Sequence, residues 1–99
     1  MTKQDLDTRI ADAFATAQTS GYLSDLIDEA ASAETKARDE FAFSKQAALD
    51  PATRADDLST ARKGMAEAEF SIARLQAATT KLKALLKTTQ TSEQQQRPG

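Results

Sequence analysis

Glu34 is the residue of this chain with the most promising chemistry, because helical spacing places its carboxylate among apolar neighbours. Buried there, it would have a raised pKa and could move a proton or accept an arginine. Leaning out to water, it would instead set the register of a helix pair and bond Arg38 one turn on. Ser44 and Thr79 occupy equivalent positions, but the chain has no histidine and offers them no paired base. Nucleophilic catalysis needs such an activating base. The acidic pairs Asp28-Glu29, Asp39-Glu40 and Asp56-Asp57 could attract a divalent cation. Adjacent residues of a helix diverge by about 100°, however, and do not converge on one ion without loop geometry. Cysteine is absent as well as histidine, which removes the usual ligands of zinc and haem. We expect no catalytic residue, no metal and no cofactor, and read the chain as a non-enzyme.

The elements that carry these residues follow from two heptad stripes on either side of Pro51. The first is Leu23, Ile27, Ala30, Glu34, Ala37, Phe41, Ser44 and Ala48. The second is Leu58, Ala61, Met65, Ala68, Ile72, Leu75, Thr79, Leu82 and Leu86. Alternating steps of four and three keep one helical face turned toward a partner helix. The spacing predicts an all-α fold: a long antiparallel, coiled-coil-like hairpin with a short N-terminal helix, which could complete a three-helix arrangement. Helix 1 is predicted over about 3–17, capped through Thr2 and Asp5, with Leu6, Ile10, Ala13, Phe14 and Ala17 on one face. Helix 2 is predicted over about 21–49 with Ser20 as its cap, ending at Asp50-Pro51. Helix 3 is predicted over about 54–87, opened by a capping-box-like Thr53 and Asp56. These make a single domain over 1–87. Residues 88–99 hold no apolar side chain and read as a flexible polar tail.

Folding about the turn sets Ala48 beside Leu58, Phe41 beside Met65, Ala37 beside Ala68 and Leu23 beside Leu82. The same register lays Asp25, Asp28 and Glu29 along Lys81, Lys83 and Lys87, each exposed pair contributing at most about 1 kcal/mol.

Composition agrees with a thin helical object. Of 99 residues, 20 are Ala and only 16 are Leu, Ile or Phe, while 13 basic residues nearly balance 15 acidic ones. That mixture favours helix over disorder. The narrow seam leaves part of the stability to a partner or to self-association. No apolar run approaches a membrane span, and no signal-peptide core is evident, so the expectation is a cytoplasmic protein with no membrane partner.

Phe43 and Phe70 fall off both stripes. Around Phe70, Ala66, Ala73, Ala77 and Ala84 form a second, smooth face on helix 3. Either helix 1 folds back over it, or it meets a protein partner or a second copy, since an exposed aromatic on a small-residue face is a typical anchor. Arg74, Lys81, Lys83 and Lys87, with Arg62 and Lys63 further up, make helix 3 locally basic. The net charge of −2 and the lack of interleaved aromatics argue against nucleic acid as the main partner.

The run Ala47-Ala48-Leu49-Asp50-Pro51, then Ala61-Arg62-Lys63, Met65, Ala68 and Phe70, then Arg74-Leu75-Gln76-Ala77-Ala78, resembles short helical-hairpin proteins of alphaproteobacteria associated with prophage or mobile-element regions. The similarity spans Leu6 to Leu86 and implies a phage-associated hairpin, with no site residue to carry over. In outline the chain is also similar to type III secretion needle subunits, but it lacks their second turn proline and their asparagine. The expected function is protein–protein interaction or assembly by hairpin docking or self-association. The alternatives are a phage-encoded inhibitor of a host defence system, anti-CRISPR-like, and a nucleic-acid-associated protein using the basic third helix.

Overall fold

A computed structural model describes residues 5–95 of the chain. It is all-α: α1 is Leu6–Ala15, α2 is Ser20–Leu49 and α3 is Ala55–Gln95, with no strand among the described residues. α2 and α3 pack closely as a helical hairpin. Where the sequence suggests one domain over 1–87, the chain divides into two compact units, Met1–Ala31 with Ala77–Gly99, and Ser32–Gln76.

Side chains and backbone groups at the helix ends account for where each helix starts and stops. Asp5 caps α1 by accepting the Thr8 backbone N–H at 2.8 Å. Hydrogen bonding from Thr8, its side chain first and then this backbone N–H, holds the Asp5 carboxyl below its ordinary value. The other expected cap, Thr2, lies outside the described residues. α1 stops at Ala15, short of the expected 17, where Thr16 turns extended and returns its N–H to the Asp12 carbonyl. The cap of α2 is Thr19 rather than Ser20: its Oγ1 accepts the Tyr22 N–H at 3.2 Å. Ser20, already helical, donates its own backbone N–H to Glu93 Oε2 at 3.1 Å.

The turn is built from local bonds. Asp50 Oδ1 accepts the Ala52 N–H at 2.9 Å, and the Asp50 carbonyl accepts the Thr53 N–H at 3.0 Å. Thr53 does not open α3 as a capping box would. Its hydroxyl donates to the Ala47 carbonyl at 2.6 Å and so closes the end of α2, one of the last-turn carbonyls a helix leaves unpaired. α3 begins at Ala55, with Asp56 and Asp57 in its first turn, where negative charge suits the helix dipole.

The flexible tail expected from residue 88 is corrected over 88–95, which continue α3; residues 96–99 lie outside the described residues. The extension follows the seam. Thr88 and Thr91 satisfy their hydroxyls on the Ala84 and Lys87 carbonyls, at 3.2 and 3.0 Å, which adds nothing to the helix. Thr89 and Glu93 are half-buried and extend the Leu82–Leu86 stripe by steps of three and four. The stripe therefore continues in polar residues, which hydrophobic periodicity cannot register.

The unit formed by Met1–Ala31 and Ala77–Gly99 holds three helical segments and the larger core. Ile10, Ala13, Leu23, Leu26, Ala30 and Leu82 are buried, and the three leucines are fully so. Leu26 lies off the stripe and is buried on the face of α2 that looks toward α1. Tyr22, Leu26 and Glu29 share that face at i, i+4 and i+7. Arg9 of α1 grips Glu29 through both carboxylate oxygens, at 2.8 and 2.5 Å. Glu29 first, and then a hydrogen bond with Tyr22, raise the guanidinium pKa further above its ordinary range. The expected ladder to α3 is not formed: Lys81, Lys83 and Lys87 make no ion pair among the described residues.

The second unit, Ser32–Gln76, has only two helical segments. Ala37, Ala61 and Ala68 are its buried hydrophobic residues, all of them alanines on the expected seam. Phe41, Ser44, Ala48, Leu58, Met65, Ile72 and Leu75 are half-buried beside them. Gly64 faces Ser44, and the antiparallel order continues along the groove, with Glu40 near Glu67 and Ala68 and Lys36 near Ser71. This is the expected register to within about two residues.

Two stability measurements follow. Leu26→Ala should cost about 2–5 kcal/mol in urea unfolding, because it empties a fully buried site, whereas the exposed Leu49→Ala should stay within about 0.5 kcal/mol of wild type. Thr79 Oγ1 is buried in the seam with no hydrogen-bond partner among the described residues. The isosteric Thr79→Val should therefore raise stability, by about 1 kcal/mol.

Candidate interaction surface

The polar seam residues resolve first. Glu34 is half-buried, and its Oε2 accepts both Nε and Nη2 of Arg38, at 3.0 and 2.8 Å. The pair joins residues one turn apart on the same helix, the contact expected of a carboxylate leaning out toward Arg38. Ser44 is half-buried against Gly64, and Thr79 stands alone in the seam, so neither has an activating base. No group of three or more acidic residues that could hold a metal ion occurs among the described residues.

The basic residues do not converge. Arg74 belongs to the two-helix unit and Lys81, Lys83 and Lys87 to the other. All four are exposed. On one helix, Lys81 and Lys83 point about 160° apart, so the expected basic patch is spread around α3. Arg62 and Lys63 border a separate shallow depression with Ala55, Leu58 and Ser59. Among the described residues no helix is long and apolar enough to cross a membrane.

The apolar candidates stay on the surface. In the two-helix unit Phe43 is 75% exposed, Leu49 72% and Phe70 68%. Ala66 and Ala73 lie exposed on either side of Phe70. In the other unit Ala77 and Ala84 are likewise exposed, so α1 does not cover them. Instead α1 and the loop after it border a cleft of about 460 Å³ against Leu85, Thr88, Thr89, Ser92 and Glu93, where Phe14 remains 47% exposed.

Phe43 stands at one end of a groove of about 640 Å³ between α2 and α3. Ser44, Gly64 and Ala68 are its more buried lining, and Ser71, Lys36, Asp39, Glu40 and Glu67 line it from exposed positions. The helices approach closely there: a Cβ at Gly64 would lie 2.7 Å from Ser44 Oγ, the rotatable end of a short side chain, so the site favours glycine without demanding it. The groove was not anticipated from sequence. Its signal is the run of small residues Gly64, Ala68 and Ser71, in which Ala68 belongs to the seam and the other two each precede a seam position by one residue.

The close approach is testable by a double-mutant cycle. Gly64→Ala alone should gain less than the roughly 1 kcal/mol that Ala offers over Gly in a helix, because the new methyl presses on the Ser44 hydroxyl. Combined with Ser44→Ala, whose Cβ lies at an ordinary 3.5 Å, it should recover most of that gain. No protein-family model matches the chain, no curated protein matches it, and no solved structure matches its fold.

Proposed function

We propose that this chain is a non-enzymatic protein–protein interaction or assembly protein that works by docking its helical hairpin, on a copy of itself or on another protein. One observation supports the reading above the others. In the unit Ser32–Gln76 the buried hydrophobic residues are alanines, while Phe43, Leu49 and Phe70 lie open to water. Fully burying a phenylalanine or leucine is worth about 1.5–3 kcal/mol, so a surface that leaves three of them out gains most from a partner. Exposed aromatics set among small side chains are also the usual anchors of protein interfaces. Such a role fits the resemblance to hairpin proteins of prophage and mobile elements, and it asks for no catalytic group.

Light scattering and native mass spectrometry of wild type, Phe43→Glu and Phe70→Glu test the reading. We expect a species larger than the monomer, with itself or a bound protein, that at least one substitution removes while the circular-dichroism melt is unchanged. A monomer throughout, with the same profile for all three proteins, would overturn it.

A further inference from the structure

Resting on the interaction reading above, we infer that the groove at Phe43 is a slot for one amphipathic helix of a partner protein, with lysine or arginine beside its apolar face. In the unit formed by Met1–Ala31 and Ala77–Gly99, α1 is the third helix. It lies against Tyr22, Leu26 and Glu29 of α2: Arg9 bonds to the first and last, and Leu26 is fully buried. On α3, Leu85, Thr88, Thr89 and Ser92 face α1 and its loop across the cleft. The groove repeats these positions in the other unit. Lys36, Glu40 and Phe43 follow Tyr22, Leu26 and Glu29 by two heptads, one for one. Gly64, Glu67, Ala68 and Ser71 precede the four α3 residues by three heptads, again one for one. A heptad step returns a seam-packed helix to the same face of its pair. The groove is therefore the hairpin's third-helix position, taken by α1 in one unit and open in the other among the described residues.

The side chains in the groove set the partner's chemistry. Phe43 is exposed, and the small Gly64 and Ala68 leave room for a side chain from an incoming helix. Asp39, Glu40 and Glu67 stand against one cation, Lys36, and none of the four makes an ion pair among the described residues. That excess selects lysine or arginine flanks, as Glu29 selects Arg9. The α1 of a second copy fits less well, since its Asp7 and Asp12 outnumber Arg9. From Lys36 to Phe43 the groove runs seven residues or about 10 Å, which two helical turns cover with anchors at i, i+4 and i+7.

Fluorescence anisotropy of the full-length chain tests the slot, with melting curves as the control for folding. The probe is a labelled alanine-based helical peptide of about 14 residues, with leucines at i, i+4 and i+7 flanked by lysines, beside a twin with glutamates for the lysines. The lysine probe should bind wild type about tenfold more tightly than the twin. Phe43→Ala should weaken it about tenfold, and Glu40→Lys/Glu67→Lys should reverse the preference. Phe70→Ala should bind like wild type. So should Asp28→Lys/Glu69→Lys, which makes the same charge change at exposed positions outside the groove. No binding of the lysine probe, or equal losses in groove and control variants, would overturn the slot. A loss in Phe70→Ala with none in Phe43→Ala would overturn it too, and would leave the interaction reading standing. A wild-type dimer in sedimentation equilibrium that Phe43→Ala dissolves would give the groove to a second copy and overturn the partner helix. The interaction reading itself would fall only if native mass spectrometry found a monomer with no bound protein.

Discussion

Two packed helices enclose only the line along which they touch, and the width of that line limits everything this chain can bury. Alanine fits inside it; leucine and phenylalanine fit only in part. Where α1 adds a third wall, Leu23, Leu26 and Leu82 become fully buried. Where there is no third wall, the buried positions are Ala37, Ala61 and Ala68, and larger seam residues such as Phe41 and Met65 are only half-covered. Full burial of each leucine contributes about 1.5–3 kcal/mol, against less than 1 kcal/mol for a methyl group. The same stripe of heptads thus supports two units of unequal strength. The difference lies in the number of walls, not in the quality of the pattern.

The third wall is fastened by polar chemistry as well as by area. Arg9 reaches across from α1 to a bidentate hold on Glu29, with Tyr22 assisting. Glu34 and Arg38 pair within one helix instead. One helix end is satisfied from far along the sequence. Glu93, near the end of α3, accepts the first N–H of α2. That carboxylate converts a polar stretch that would fray into an ordered continuation of the helix.

The hairpin was legible because its signal is periodic and strong: every residue of both stripes is buried or half-buried. Asp50-Pro51 placed the turn for the same kind of reason, a fixed backbone preference. Four things were not legible. Leu26 reads as off-pattern until α1 is given a face to pack on, although Tyr22, Leu26 and Glu29 already have the spacing of such a face. The extension of α3 through residue 95 is written in Thr and Glu, so apolar periodicity ends before the helix does. The caps at Thr19 and Thr53 each lie one residue or one element away from the expected assignment, because a hydroxyl near a helix boundary can serve either the helix that ends or the one that begins. The departure of Phe43 and Phe70 from the stripes was legible in the sequence, which left open whether helix 1 covers that face. The groove beside Phe43 was not, since it depends on how closely Gly64 approaches Ser44.

The turn at Asp50–Thr53 also bears on how the chain finds its fold. Its bonds span two, three and six residues, so they form by closing very short loops. From there the stripes can zip pair by pair, each new pair adding only a few residues to a loop already closed, which is the low-contact-order route that folds fast. The bond from Ser20 to Glu93 spans 73 residues, and the seating of α1 on α2 comes through Arg9 and Glu29, 20 residues apart. A zipper started at the turn reaches the leucines last. On that route the hairpin would assemble in the reverse order of its burial, the alanines first and the fully buried leucines last.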